Sequence, residues 1–423
     1  MCVTKRTSKE NWLMTVVAQI LDRMSGVAKP QRKFLLTLFA TMLVTHSRIN
    51  FLNLSRHSSV SEKTFRRQFQ KPFAFAAFNQ SAIAQAVPAE NTTFFAQDAS
   101  FSAKSGKHTY GLDTFWNGCA ARAERGLEVS LISIVDVEAN QSFALSAEQT
   151  PPQLAKKKPE KTPTKKPEKT PTRIDFYLAH LQRTAAYFPA TVKYGVFDGA
   201  YAKRKFVDGV RALNYHVVSK LRADAQLLYL YTGEQKKRGA RRKFEGKVAV
   251  TDWHRFAKLK TDAAHITLYT LVVWSVSLQR AVRVVVVVNH KEKAKPRYVA
   301  LFSTDTELEA TAIFRFYKAR FQIEFLFRDA KQFAGFSECQ ARDKEALHFH
   351  FNASVTVVNV ARLMAQAEQK AEEKMVFSMA SIKQRAFNEH LLNLIISKLA
   401  LDQTAVINHP QFEYLRNYAA IAA

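Results

Sequence analysis

Residues 157–172 consist of the octapeptide KKPEKTPT written twice in tandem, and neither copy holds an aliphatic or aromatic side chain able to anchor a core. Such a stretch is expected to be a solvated, semi-extended basic linker, within residues 151–172, so a core must be assembled from the segments on either side of it. Two patterns precede it. Residues 10–90 read as helical, with apolar side chains at four-residue spacing through Trp12, Val16, Ile20 and Met24 and a second apolar segment after Pro30. From Thr93 the pattern changes to runs rich in β-branched and aromatic residues, Phe94 to Phe101, Tyr110 to Trp116 and Leu127 to Val137, which suggest three strands in meander order. Beyond the linker a helix (Ile174 to Ala186), a strand (Val192 to Phe197), a helix (Ala202 to Leu213) and a strand (Tyr215 to Leu221) imply an α/β layer. Residues 222–303 return to β character, and after Glu307 the chain reads as helical, with Ile313 to Phe333 the longest helix and Ala346 to Lys370 a second. The expected division is a helical unit over 1–90, an α/β core over 91–221 and 304–362, a β-rich insertion over 222–303 and a helical region over 363–423.

Disorder is not the default for a 423-residue chain with 47% hydrophobic residues. Yet 63 basic against 36 acidic residues leave a formal charge of +27, which repels itself in a compact state and calls for a polyanionic partner, most commonly nucleic acid. An anionic membrane surface is the alternative. The best apolar runs, Phe34 to Val44 and Leu271 to Val288, are too short or are broken by Gln279, Arg280 and Arg283, so no membrane span is expected. Lys5, Arg6, Lys9 and Glu10 interrupt any signal-peptide pattern, and a soluble cytoplasmic protein is the expectation. Cys2, Cys119 and Cys339 stand far apart, which argues against a disulfide framework or a zinc site and leaves oxygen ligands for any catalytic metal.

Two carboxylates lie in unusual places. Asp98 sits inside the apolar strand Phe94-Phe95-Ala96-Gln97-Asp98, and Asp198 closes the strand Tyr194-Gly195-Val196-Phe197-Asp198. An ionised carboxylate there is costly unless a cation meets it, and two such acids in one sheet can share divalent ions. Either alone would also serve as a turn or helix cap. A third signal lies further on. Arg320, Glu324 and Lys331 follow Tyr317 at offsets of three, seven and fourteen, so at about 100° per residue the four share roughly 60° of a helix. A solvated stripe would show the same polar line. Here Phe314, Phe316, Phe321, Ile323, Phe325, Leu326 and Phe327 leave little of the helix free to face water, which favours a cleft.

The spacing Tyr317-x2-Arg320-x3-Glu324-x6-Lys331 resembles the Y-R-E-K signature of DDE transposases of the cut-and-paste insertion-sequence type, matching in all four letters and all three gaps. The segments FYKARFQIEFLFRDAKQFAGF, QDASFSAKSGKHTYGLDTFWNG and VFDGAYAKRKF resemble that family too, so the likeness spans about residues 90 to 362. The resemblance implies a ribonuclease H-like α/β fold, a mixed five-stranded sheet flanked by helices and interrupted by an all-β insertion, with helical N- and C-terminal regions. It implies that Asp98, Asp198 and Glu324 hold two magnesium ions, for which manganese may substitute, while Arg320, Lys331 and Tyr317 serve the phosphate near the cut. The tandem linker departs from what is expected inside such a core. Trp253 and Trp274 fall where some members stack a flipped base, although a core role is the simpler reading. Asp113 and Asp136 are rival strand acids, Asp136 reading better as a hairpin edge, and Asp329 lies about 140° around the helix from Glu324.

Phe51 to Phe69 could form a helix-turn-helix, with Ser61 as N-cap, Lys63, Arg66, Arg67 and Gln70 outward and Phe65 and Phe69 inward, or simply a helical hairpin. Lys104, Lys107 and His108 are candidate phosphate contacts beside the first acidic strand. The expected partner is double-stranded DNA, both the element's terminal inverted repeats and the target, engaged by a homodimer. A nuclease without strand transfer and an inactive DNA-binding protein remain as alternatives.

Overall fold

The computed structural model describes residues 9–152, 171–222, 224–249, 251–261, 263–291, 297–368 and 377–421; most of the tandem repeat lies outside them. Five helices come first: α1 (Lys9–Arg23), α2 (Lys29–Val44), α3 (Phe51–Arg56), α4 (Glu62–Phe69) and α5 (Phe75–Ala86). The four-residue spacing does its work in α1, where Val16 and Ile20 are buried, and Pro30 occupies the first turn of α2, where its missing N–H costs nothing.

The first strands are β1 (Thr93–Ala103), β2 (Asp113–Asn117), β3 (Arg122–Asp136) and β4 (Gln141–Gln149). They do not form a simple meander. Both β1 and β2 pair with β3, in the spatial order β2-β3-β1, and a fourth strand that the sequence reading passed over pairs with the other half of β3. Then come α6 (Arg173–Thr184), β5 (Tyr194–Phe197), α7 (Arg204–Ala212) and β6 (His216–Lys220), with β5 parallel to β1 and β6 parallel to β5.

Between residues 222 and 303 the described elements are all strands: β7 (Leu227–Leu230), β8 (Phe244–Lys247), β9 (Ala257–Lys260), β10 (Ile266–Ser275), β11 (Arg280–Asn289) and β12 (Arg297–Ser303). They extend the same sheet, because β12 pairs with β6, giving an open mixed sheet of 12 strands. The helices α8 (Ala310–Ala319), α9 (Gln322–Phe333), α10 (Lys344–Glu368), α11 (Met379–Lys398), α12 (Gln403–Ile407) and α13 (Phe412–Arg416) complete the chain. The expected single helix from Ile313 to Phe333 is thus two, and α10 is the longer element.

β4 has a covered free edge. Asn359 of α10 accepts from the Ala144 N–H (2.9 Å) and donates to the Ala144 carbonyl (2.7 Å), and Asn352 does the same for Ala147 (3.0 and 2.8 Å). The register slips between Ser133↔Ala144 and Ile132↔Ser146, inserting one residue that turns Ala147 as well as Ala144 away from β3. Three residues of strand span about 10 Å and two helical turns about the same, so one helix face meets both positions. No helix among the described residues is long and apolar enough to cross a membrane.

Candidate active site

Parallel pairing of β1 with β5 sets Phe95 against Gly195 and Ala96 against Val196. Continued two residues past the last paired positions, this register would bring Asp98 beside Asp198, and the Asp198 charge does act on the Asp98 carboxyl; neighbouring strands run about 4.8 Å apart. The sequence favours this local arrangement because Phe94, Phe95 and Ala96 are fully buried and so are Val196 and Phe197, which fixes both strands in the core up to the acids. Gly195 permits it: a Cβ there would come within 2.5 Å of the Phe95 ring. At Asp198 the chain leaves β5 for a tight turn over Gly199–Tyr201, and the Asp198 carbonyl accepts from the Ser219 hydroxyl at 3.1 Å.

Glu324 arrives from α9. The helix expected to carry it breaks at Arg320 and Phe321, where the bonds Ile323 N to Arg320 O (3.1 Å) and Glu324 N to Phe321 O (3.0 Å) tighten to three-residue closure. The Arg320 Nη2 donates to Glu324 Oε1 at 3.1 Å, and its guanidinium lies 5.4 Å from the Tyr317 ring centroid. Arg320 is almost wholly buried, and its Nε has no hydrogen-bond partner. At the far end of the row, Lys331 Nζ donates to the Phe101 carbonyl at 2.8 Å and ties α9 to β1.

The charges feel one another. Burial pushes the Asp98 carboxyl up to about 6, opposed by the Ala99 N–H (2.8 Å) and by Arg320, and reinforced by Glu324 and Asp198. Burial likewise raises Tyr317, with Arg320 lowering it and Asp198 and Glu324 raising it, and burial lowers Lys331. Asp98, Asp198, Glu324, Tyr317 and Arg320 therefore occupy one neighbourhood. Among the described residues no group of three His, Cys, Asp or Glu side chains is already gathered as a metal cage, and Glu324 is turned toward Arg320. The oxygen-only donor set suits a hard divalent cation.

The rival acids are used elsewhere. Asp136 is buried and accepts from the Ala139 N–H (3.0 Å) and from Asn91 (2.8 Å), capping the turn into β4. Asp329 is buried against Arg328 and Arg362. Asp113 opens β2 and accepts from the Thr114 N–H at 2.7 Å. Trp253 stacks on Tyr269 at 4.5 Å between centroids, and Trp274 meets Phe244 at 5.5 Å.

Ser61 caps α4 by accepting from the Thr64 N–H at 3.3 Å; Phe65 and Phe69 are buried, and Lys63, Arg66, Arg67 and Gln70 are exposed. Arg66 is paired with Glu62 and lies over the Phe51 ring. Lys107 and His108 are exposed, whereas Lys104 is half-buried and donates to the Cys339 carbonyl. Arg66, Gln70, Lys104 and Arg342 line one cleft of about 600 Å³, so contacts expected from two distant segments meet there.

Two features escaped the sequence reading. Tyr201 is buried with its phenol raised far above the usual range, by burial first and then by Asp98, Tyr177, Glu128 and Asp198, so it sits behind both acids. The exposed run Lys236, Lys237, Arg238, Arg241 and Arg242 forms a cationic tip between β7 and β8. Its density of basic residues in the sequence was the available signal.

A family model described as DDE superfamily endonuclease matches residues 20–270, more than half of the chain; the match includes Asp98 and Asp198 and ends before Glu324. No curated protein matches significantly.

Proposed function

Because the chain belongs to the DDE superfamily of endonucleases, we propose that it is a transposase. In this reading it binds the terminal inverted repeats of an insertion sequence, cuts DNA by metal-dependent phosphodiester hydrolysis and joins the freed 3′ ends to target DNA. The observation that carries it is the parallel pairing of β1 with β5, both strands leading directly to the two acids, with Asp198 and Glu324 close enough to shift the Asp98 carboxyl. The fold reading is a ribonuclease H-like core, supported by β5 and β6 running parallel to β1 and by β3 running antiparallel to both β1 and β4.

Asp98, Asp198 and Glu324 would hold two magnesium ions, with manganese able to replace them. Bound there, the ions supply activation of the attacking water or 3′-hydroxyl and charge stabilisation at the leaving oxygen. The protein's own groups do the rest. Glu324 turning from Arg320 frees the carboxylate for the site and the guanidinium for a phosphate oxygen, which the unpartnered Nε of Arg320 can also meet. Lys331 adds a point charge and Tyr317 a phenolic donor. Lys63, Arg66, Arg67, Lys104, Lys107 and His108 steer the duplex by its phosphates. Synapsis of two ends in one event calls for a homodimer working at the nucleoid in the cytoplasm.

Purified protein incubated with magnesium and DNA carrying the flanking ends of its own gene is expected to nick at the boundary and then join strands. Cleavage without joining would leave a nuclease, and absence of both would overturn the reading. Lys63→Ala and Arg67→Ala, both at exposed positions, are each expected to weaken DNA binding and to lower the salt slope by about one. Unchanged slopes in a titration of binding against salt would remove α4 from the interface.

A further inference from the structure

The hairpin of β2 and β3 carries a Trp that the catalytic reading does not use. Trp116 is 58% exposed, on a strand whose neighbour Phe115 is fully buried under Arg173. Strand parity tells which side it faces. Directly opposed residues of an antiparallel pair point the same way, and alternate residues point the same way along a strand. Asp98 opposes Leu131 on β3, and Trp116 opposes Ala123, eight residues earlier on β3, so Trp116 shares the Asp98 face of the sheet.

The hairpin's charges are segregated by the same rule. Asp113 opposes Gly126 and Phe115 opposes Glu124, which puts both acids on the other face, where Glu124 is bound by Arg122 and Asn117. The Asp98 face of the hairpin therefore presents Thr114, Trp116, Ala123 and Arg125 with no carboxylate among them. Arg125 is exposed, and among the described residues it makes no ion pair. At the hairpin tip, Cys119 is close enough to Lys331 to act on its charge.

We propose that this face of the β2–β3 hairpin is a DNA-strand contact in which Trp116 stacks on an unpaired nucleobase and Arg125 holds the adjoining phosphate. An exposed aromatic beside a cation with no ion pair among the described residues is the arrangement that binds single strands without reading sequence. Eight residues along β3 and one inter-strand step on either side of it put the Trp116 and Asp98 backbones at most about 28 Å apart. A straight strand at about 3.4 Å per nucleotide covers that distance in roughly eight nucleotides. The inference rests on Asp98 marking the cut, but its test requires no cleavage.

The test is equilibrium binding of the full chain, without magnesium, to a labelled mixed-sequence duplex and to the same duplex with a short unpaired bubble. Trp116→Ala is expected to weaken bubble binding about tenfold and paired-duplex binding less, and Trp116→Phe to restore most of the loss. Arg125→Ala should weaken both and lower the salt slope by about one. Trp116→Leu, which keeps apolar bulk without a stacking face, serves should the Ala variant disturb the hairpin, and it must behave like Ala. Binding by Trp116→Leu equal to wild type on both DNAs would overturn the proposal. So would a loss of self-association in sedimentation with DNA affinity intact, which would assign the face to a second copy. Absence of cleavage by the wild-type chain with magnesium, with the Trp116 effect on binding present, would sink the catalytic reading alone.

Discussion

Asp98→Asn is expected to lower DNA cleavage by roughly a thousandfold or more while making the metal-free fold more stable. Both effects come from one carboxylate. Its proton affinity is raised from 3.8 to about 6 because burial, Glu324 and Asp198 together outweigh Arg320 and the Ala99 N–H. Below pH 3.8 the acid is protonated folded or unfolded and costs nothing. As pH rises from there to about 6, the unfolded chain ionises while the fold retains its proton, and stability is lost; above 6 the loss is constant. A rise of about two pKa units corresponds to about 3 kcal/mol, which Asn would recover at neutral pH. Thermal melts at pH 7.5 and pH 3.5 check this: the variant should melt higher at the first and equal to wild type at the second. Added magnesium should raise the melting temperature of wild type and leave the variant unmoved. A variant that melts lower at neutral pH, or that still cuts, would sink the assignment of Asp98.

Asn359→Leu is expected to destabilise the fold by about 3–5 kcal/mol. The side chain is buried and makes three hydrogen bonds, two with the Ala144 peptide groups and one to Asn79 Oδ1 at 3.0 Å. A leucine of similar size leaves all three partners without water, at roughly 1–3 kcal/mol each, partly offset by its apolar burial. Urea unfolding would show a lower midpoint with an unchanged slope. A loss below about 1 kcal/mol would mean that water or a shifted helix takes over these groups.

Most element positions were legible because hydrophobic period survives in sequence. The valine run from Val282 to Val288 marks β11, and the Ser61 cap with Phe65 and Phe69 marks α4. Strand order was not, since β1 and β2 both choose β3 through contacts that no local pattern encodes. β4 was missed because its small residues, Ser142, Ala144, Ser146 and Ala147, carry weak strand preference and are held by α10 and β3 instead. The break at Arg320 was hidden for a different reason: nothing in FYKARFQIEF resembles Gly or Pro, and three-residue closure there needs no special residue. At the site, the two strand acids were conspicuous as charges in apolar runs. Tyr201 looked like one more aromatic, and nothing local marked its buried phenol as lying close enough to both acids to feel their charge.

The amides of Asn352 and Asn359 occupy the Ala147 and Ala144 peptide groups that another strand would need, so β4 can recruit no further strand along that stretch, from the same chain or from a neighbour. On the other side of the acids, β12 docks on β6. What the polypeptide adds between Lys220 and Ala310 is thereby delivered to the Asp198 side of the sheet.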